Sequence, residues 1–130
     1  MLVSALVSLL YHDGVTGPIL YAGLSVSVLG GLLMLVTKQH RKELNKRDGY
    51  VVVAIGWIVM SLSGTLPYLT THTIPSFTEA FFETMSGYTT TGASILNDIE
   101  AVPKGILFWR SLTHWIGGMG IIVLAIAILP

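Results

Sequence analysis

Residues 76–94 read SFTEAFFETMSGYTTTGAS, and the interpretation of the whole chain starts from this stretch. Pro75 precedes Ser76-Phe77-Thr78-Glu79, which has the capping-box pattern typical of a helix start. Apolar residues then recur every four positions up to Gly87, which is a natural helix stop. The pattern predicts a helix over residues 76–86 that is about 15 Å long, half the thickness of a bilayer core.

The segment after this short helix, residues 87–95, contains two glycines and three consecutive threonines. A half-length helix followed by such a segment predicts a re-entrant loop, in which the chain enters the membrane as helix and returns as extended backbone. Non-helical backbone at membrane depth is tolerated only where protein buries it or where it lines a water-filled path.

The composition is that of a membrane protein. The 130 residues are 52% hydrophobic and 11% charged, and residues 18–37 and 49–71 contain no charged side chain. As helices these stretches are about 30 Å long, enough to cross a bilayer core, so a soluble domain is excluded. The formal net charge of zero argues against a nucleic-acid partner, which needs excess positive charge.

The basic residues predict how the chain crosses the membrane. Five of the seven Lys and Arg residues lie between positions 38 and 48, so the positive-inside rule makes this loop cytoplasmic. Residues 18–37 then run inward and residues 49–71 run outward. The connections at 11–17 and 72–75 should be external, and neither contains a Lys or Arg.

These observations predict an all-α integral membrane fold with two parts. Residues 1–48 form a leading transmembrane hairpin, whose first helix is truncated, together with the cytoplasmic basic loop. Residues 49–130 form one pore repeat, with outer helix 49–71, pore helix 76–86, filter 87–95 and inner helix 105–130. Because both ends lie in hydrophobic sequence, we expect the chain to be a piece of a larger membrane protein.

Thr89, Thr90, Thr91 and Gly92 are the candidate ion-binding residues. A selectivity filter surrounds a dehydrated potassium ion with backbone carbonyl oxygens, and turning successive carbonyls toward one axis favours glycine. The C-terminal end of the short helix would direct its partial negative charge at the ion. The tetrapeptide is equally compatible with a polar turn between two helices. Ser94, just beyond it, is expected to be a neutral position.

Two carboxylates lie one turn apart on the short helix, at Glu79 and Glu83. They raise the alternative of an intramembrane hydrolase, but no nucleophile or metal-ligand set accompanies them. Glu79 belongs to its own capping box, whereas Glu83 lies deeper and requires a partner. Arg110, near the outer end of the last span, is the candidate, so we predict a structural ion pair. Reversing both charges should then preserve part of its contribution.

The last span contains two further features. His114 lies one turn after Arg110, and a lone histidine favours packing or hydrogen bonding over metal binding. The run Gly117-Gly118-Met119-Gly120 is either a hinge beneath the loop or a surface that lets another helix approach closely. We favour the second interpretation.

Three parts of the chain resemble bacterial TrkH-type potassium uptake proteins of the Trk/Ktr/HKT superfamily. RDG at 47–49 and SLSGTLPY at 61–68 are similar to the two ends of their first outer helix. FFETMSGYTTTGA at 81–93 resembles their first pore helix and filter. WRSLTHWIGGMGI at 109–121 resembles the inner helix that follows.

The resemblance implies a potassium-channel-like fold with four non-identical pore repeats in one chain, of which residues 49–130 would be the first. Thr90 and Thr91 would coordinate K⁺, with Gly92 as the filter glycine and Thr89 beside them. It further implies a multi-pass protein of the bacterial inner (plasma) membrane and a homodimer with one pore per subunit. A cytoplasmic nucleotide-binding subunit of the TrkA type would regulate it.

The expected function is potassium uptake across the plasma membrane, with this chain contributing one quarter of the selectivity filter. No covalent chemistry and no cofactor are expected, since K⁺ is the transported ion. The alternative is a non-conducting membrane assembly fragment. The expected partners are K⁺, membrane lipid and the remaining pore repeats, with no nucleic acid.

Overall fold

The computed structural model describes residues 1–37 and 46–128, and within these ranges the only regular secondary structure is helical. The six helices are α1 (Leu2–Tyr11), α2 (Thr16–Thr37), α3 (Lys46–Gly64), α4 (Leu66–Thr70), α5 (Phe77–Tyr88) and α6 (Lys104–Ile128). Most of the predicted cytoplasmic loop, residues 38–45, lies outside the described ranges, as do residues 129 and 130.

Among the described residues, two helical stretches are long and apolar enough to cross a membrane. They are Thr16–Thr37, with a mean hydropathy of 2.2, and Gly49–Thr70, with a mean hydropathy of 1.7. They correspond to the two uncharged spans of the sequence. The third predicted span corresponds to α6, whose 25 residues extend over about 37 Å. The short α1 ends at His12, which adopts a left-handed conformation with φ of +52°.

The predicted outer helix over residues 49–71 is not continuous in the structure. It ends at Gly64, turns at Thr65 and resumes as α4. Pro67 explains the break, because proline has no N–H for a helical hydrogen bond and its ring clashes with the carbonyl four residues earlier. The Thr65 hydroxyl donates to the carbonyl of Leu62 at 2.6 Å, inside the last turn of α3.

The half-length helix differs from its prediction at both ends. Ser76 is the N-cap residue, but its side chain makes no capping hydrogen bond, so the predicted capping box is absent. Gly87 does not stop the helix, which continues to Tyr88 and is about 18 Å long. Gly87 is instead a contact position, because a Cβ there would overlap the Thr113 side chain of α6.

The helices pack so that α6 lies between α1 and α5, while α3 contacts α5, and α2 contacts α1 and α4. The core lies where five of these helices meet, at the end of the bundle that holds the connections 12–15 and 71–76. Its buried apolar residues are Ala5, Ile19, Tyr68, Ile74, Ala80, Val102, Ile106 and Trp109. By contrast, residues 27–37 of α2 are exposed in this chain.

Candidate ion-binding site

The loop that leaves α5 is attached to the helix by its backbone N–H groups. Those of residues 89, 90 and 91 donate to carbonyls in the last turn of α5, at 2.9, 3.0 and 3.0 Å. Over the described ranges, the carbonyl oxygens of Thr90, Thr91 and Gly92 accept no hydrogen bond. The N–H groups of residues 89–91 are therefore used within the protein, while the carbonyl oxygens of residues 90–92 are left for another ligand.

Two residues of this loop have a left-handed backbone. Gly92 has φ of +79°, where a side chain is strained, and no atom lies within 4 Å of a Cβ built there. Thr90 has φ of +57°, which is a conformational outlier for a β-branched residue. The glycine could be predicted to favour such a conformation. The sequence carried no signal for Thr90.

The threonine hydroxyls form a small cluster around the same backbone. The Thr89 hydroxyl donates to the carbonyl of Met85 at 2.8 Å, and the hydroxyl oxygens of Thr89 and Thr91 lie 2.8 Å apart. The Thr90 hydroxyl donates to the carbonyl of Thr89 at 2.7 Å. Residues 89–94 are exposed in this chain. Oxygen atoms thus dominate the polar surface of the loop, and oxygen is the ligand atom of a potassium filter.

The exit of the loop is held by Glu83. Its carboxylate accepts hydrogen bonds from the Ser94 hydroxyl at 3.0 and 3.1 Å and from the backbone N–H of Ile95 at 3.0 Å. The Ser86 hydroxyl also donates to the carbonyl of Ala93, at 2.6 Å. The expectation that Ser94 is a neutral position stays a prediction, although its hydroxyl joins the loop to α5.

Glu83 also forms the predicted ion pair with Arg110. The Nε atom of Arg110 lies 2.5 Å from Oε1 of Glu83, whose side chain is only 1% exposed. Burial of a carboxylate is costly unless it is paired and hydrogen-bonded, and Glu83 has both kinds of partner. Glu79 is exposed, so the two glutamates occupy different environments, and the carboxylate of Glu83 is already engaged by Arg110, Ser94 and Ile95.

His114 lies beside the end of the pore helix. A Cβ built on Gly87 would be 3.7 Å from its Cδ2 atom, so the ring packs near that glycine. Over the parts of the chain that the structure describes, no three His, Asp or Glu side chains are grouped so that they could hold a metal ion. The packing role expected for His114 stays a prediction.

Two consecutive glycines of α6 face the start of the loop. A Cβ on Gly117 would overlap the carbonyl group of Tyr88, so the helix backbones approach closely at this point. A Cβ on Gly118 would lie 3.8 Å from the Cγ2 methyl of Thr90. The close-approach interpretation of this glycine run is confirmed for Gly117.

Comparison with known proteins places this geometry in a family. Residues 18–130 match the family model described as TrkH, a cation transport protein. The Trk system potassium uptake protein TrkH of Vibrio parahaemolyticus is 44% identical over 131 residues, which cover 100% of this chain and 27% of the relative. The protein of the same name in Escherichia coli K12 is 39% identical over 131 residues, with the same two shares.

A solved structure gives the same result for the fold. The crystal structure of the potassium transporter TrkH from Vibrio parahaemolyticus superimposes with a TM-score of 0.91 at 43% sequence identity. The match covers 99% of this chain and 28% of that chain. The chain therefore spans about a quarter of the length of the relatives that it matches.

Proposed function

The chain belongs to the TrkH family of cation transport proteins, and on that basis we propose that it takes part in potassium uptake across the bacterial plasma membrane. Its contribution is one quarter of a selectivity filter, supplied by residues 89–92. Thr90 and Thr91 provide coordinating oxygens, Gly92 provides the backbone conformation, and Thr89 completes the segment. K⁺ is the transported ion, and the proposal requires no cofactor.

One observation carries this proposal. The carbonyl oxygens of Thr90, Thr91 and Gly92 have no hydrogen-bond donor over the described ranges, although the N–H groups of residues 89–91 are all bonded back to α5. In contact with lipid, an unsatisfied backbone carbonyl costs several kcal/mol, so these oxygens need a ligand, which in a water-filled path is water or a cation. A dehydrated cation is such a ligand, and the C-terminal end of α5 adds a partial negative charge nearby.

The ion pair has a supporting role in this proposal. Glu83 ties the outgoing segment at Ser94 and Ile95 to α5, and Arg110 ties the same carboxylate to α6. The three elements that surround the filter are thereby joined through one buried side chain. We assign Glu83 and Arg110 to positioning the carbonyls rather than to contact with the ion, with His114 as packing support.

The remaining parts of the proposal concern the complete assembly. Residues 89–94 are exposed in this chain, so a closed filter needs the other pore repeats around them. We propose that those repeats come from the rest of a multi-pass inner-membrane protein, which forms a homodimer, contacts lipid and binds a TrkA-type subunit at its cytoplasmic side. The competing possibility is a membrane assembly segment that does not conduct.

The test uses a chimera in which this chain replaces the matching segment of the Vibrio parahaemolyticus TrkH, hereafter the chimera. Expressed in a bacterium that lacks its own potassium uptake systems, the chimera should restore growth at limiting K⁺. Purified chimera in proteoliposomes should take up ⁸⁶Rb⁺ in preference to ²²Na⁺. A well-folded chimera that inserts into the membrane but takes up neither ion would favour the non-conducting alternative.

A further inference from the structure

We propose that Gly118 of the inner helix α6 is a specificity-determining residue, because the space it leaves open sets the position of Thr90 and so of the neighbouring carbonyls. This inference rests on the proposed function of residues 89–92. It concerns a residue outside the loop that does not touch the ion. Besides the hydrogen bonds within the loop, the position of Thr90 then also depends on its proximity to α6 at Gly118.

The starting point is the strained backbone of Thr90. Its φ of +57° is one that β-branched residues avoid, and such outliers persist only where the surroundings enforce them. Here the backbone N–H of Thr90 is held by the carbonyl of Gly87 at 3.0 Å, and its hydroxyl by the carbonyl of Thr89 at 2.7 Å. Backbone and hydroxyl are thus restrained, and the Cγ2 methyl is the remaining part of the side chain.

That methyl group points toward Gly118. A Cβ at this position would lie 3.8 Å from Thr90 Cγ2, which is an ordinary van der Waals separation. An alanine therefore fits, whereas the methyl groups of a valine extend one bond further into the space that the Thr90 methyl occupies. A valine would therefore displace the Thr90 methyl group. Because the backbone N–H and the hydroxyl of Thr90 are hydrogen-bonded, this displacement would rotate the peptide groups before and after Thr90, together with their carbonyl oxygens.

The neighbouring glycines show that this contact is specific to position 118. A Cβ at Gly117 would overlap the backbone of Tyr88 and disturb the packing of α6 on α5. A Cβ at Gly120 would lie 3.7 Å from the Trp57 ring, on the side of α6 that faces α3. Gly120 thus has a contact of nearly the same length that does not involve the loop, which makes it a matched control.

The experiment measures the ⁸⁶Rb⁺ to ²²Na⁺ uptake ratio of the chimera in proteoliposomes. Gly118→Val should lower the ratio by roughly threefold or more, a size that coupling between contacting residues commonly reaches. Gly120→Val should have the same uptake ratio as the unmodified chimera, and the uptake ratio of Gly118→Ala should be close to that value. Adding Thr90→Ser to Gly118→Val removes the Cγ2 methyl and should restore part of the ratio, which a general packing defect would not do.

A second version of the experiment enlarges the side chain at position 118 only after the protein has folded. This chain has no native cysteine, and treatment of the unmodified chimera reports the effect of any cysteine elsewhere in the chimera. Gly118→Cys and Gly120→Cys are treated with methyl methanethiosulfonate once the proteins are reconstituted. The ratio should fall on treatment of the first variant, and it should not fall for the second or for the unmodified chimera. An unchanged ratio at position 118, or a loss that Thr90→Ser does not relieve, would overturn the inference while leaving the proposed function in place. Absence of ⁸⁶Rb⁺ uptake by the unmodified chimera would overturn both.

Discussion

The carboxylate of Asp13 accepts a hydrogen bond from the backbone N–H of Gly105 at 2.9 Å, across 92 positions of the chain. Asp13 lies in the connection after α1, and Gly105 lies in the first turn of α6, where helical N–H groups lack partners. The Ser8 hydroxyl of α1 donates to the other oxygen of the same carboxylate. The connection after α1 is thereby attached to the first turn of α6, the helix whose Gly118 lies beside Thr90.

We expect Asp13→Ala to destabilise the chimera. The substitution removes an acceptor and a negative charge at a helix N-terminus, and losing a helix cap of this kind costs about 1 kcal/mol. The midpoint of thermal unfolding in detergent should fall. Asp98→Ala is the control. Among the described residues, Asp98 accepts hydrogen bonds only from the nearby N–H groups of Glu100 and Ala101 in its own loop, so its substitution should change the midpoint little.

The contribution of Asp13 should depend on pH. Partial burial raises the pKa of its carboxyl, but hydrogen bonds from Ser8, Gly105 and Val15 outweigh burial and hold the pKa below its usual value of 3.8. A lowered pKa in the folded protein means that the carboxylate stabilises the fold above pH 3.8 and loses this effect as the pH falls through the folded pKa. The midpoint difference between Asp13→Asn and the unmodified chimera should therefore shrink below pH 3.8. A difference that is constant down to the lowest measurable pH would contradict this account.

Removing the basic partner of Glu83 should reduce the folded yield. Arg110→Ala leaves a carboxylate that is 1% exposed without its counter-ion, and breaking a buried pair costs about 3–5 kcal/mol. The measurement is the fraction of monodisperse chimera in size-exclusion chromatography. A normal yield for Arg110→Ala would show that the ion pair does not support the fold.

The structure argues against the expectation that reversing both charges of the Glu83–Arg110 pair preserves part of its contribution. Exchanging the two charges should not restore the yield, because an arginine at position 83 cannot accept the hydrogen bond that Ile95 donates to Glu83. Glu83→Gln combined with Arg110→Met removes both charges and keeps a side-chain oxygen for Ile95. This double variant should recover part of the yield that Arg110→Ala loses.

Gly92→Ser should impair ion discrimination without preventing folding. The φ of +79° makes any side chain strained, at about 1–2 kcal/mol, and relief of that strain would turn a neighbouring carbonyl. The ⁸⁶Rb⁺ to ²²Na⁺ uptake ratio of the chimera should fall. Gly14→Ser is the matched control, since Gly14 has φ of +76° and equally open surroundings but lies between α1 and α2. Equal ratios for the two variants would mean that Gly92 is only a turn residue.

Two glycines of α6 should respond in opposite directions to alanine. Gly117→Ala places a methyl group on the Tyr88 carbonyl, and overpacking of this kind costs about 1–3 kcal/mol or more. Gly120→Ala meets only an ordinary contact with Trp57, and alanine is about 1 kcal/mol more favourable than glycine inside a helix. Thermal midpoints should fall for the first variant and hold or rise for the second.

Several features of the fold follow from properties that can be read along the chain. Hydropathy and length predicted spans over residues 18–37 and 49–71, which correspond to Thr16–Thr37 and Gly49–Thr70 in the structure. The half-length helix followed from its short apolar period, and the Glu83–Arg110 pair from the need of a buried charge for a partner. These predictions succeed because a membrane environment favours apolar composition and a helical spacing of apolar residues, and both can be read from a short stretch of sequence.

Other features were decided by contacts between distant segments. Gly87 carries a helix-stop signal, yet it lies inside α5 because α6 packs against it at Thr113. The left-handed conformation of Thr90 opposes its intrinsic preference, and no pattern in the local sequence indicates it. Asp13 caps α6 through a backbone N–H, which every residue except proline carries, so no side-chain pattern marks the partner. Local sequence can state that a group needs a partner, but only the packed helices bring that partner within bonding distance.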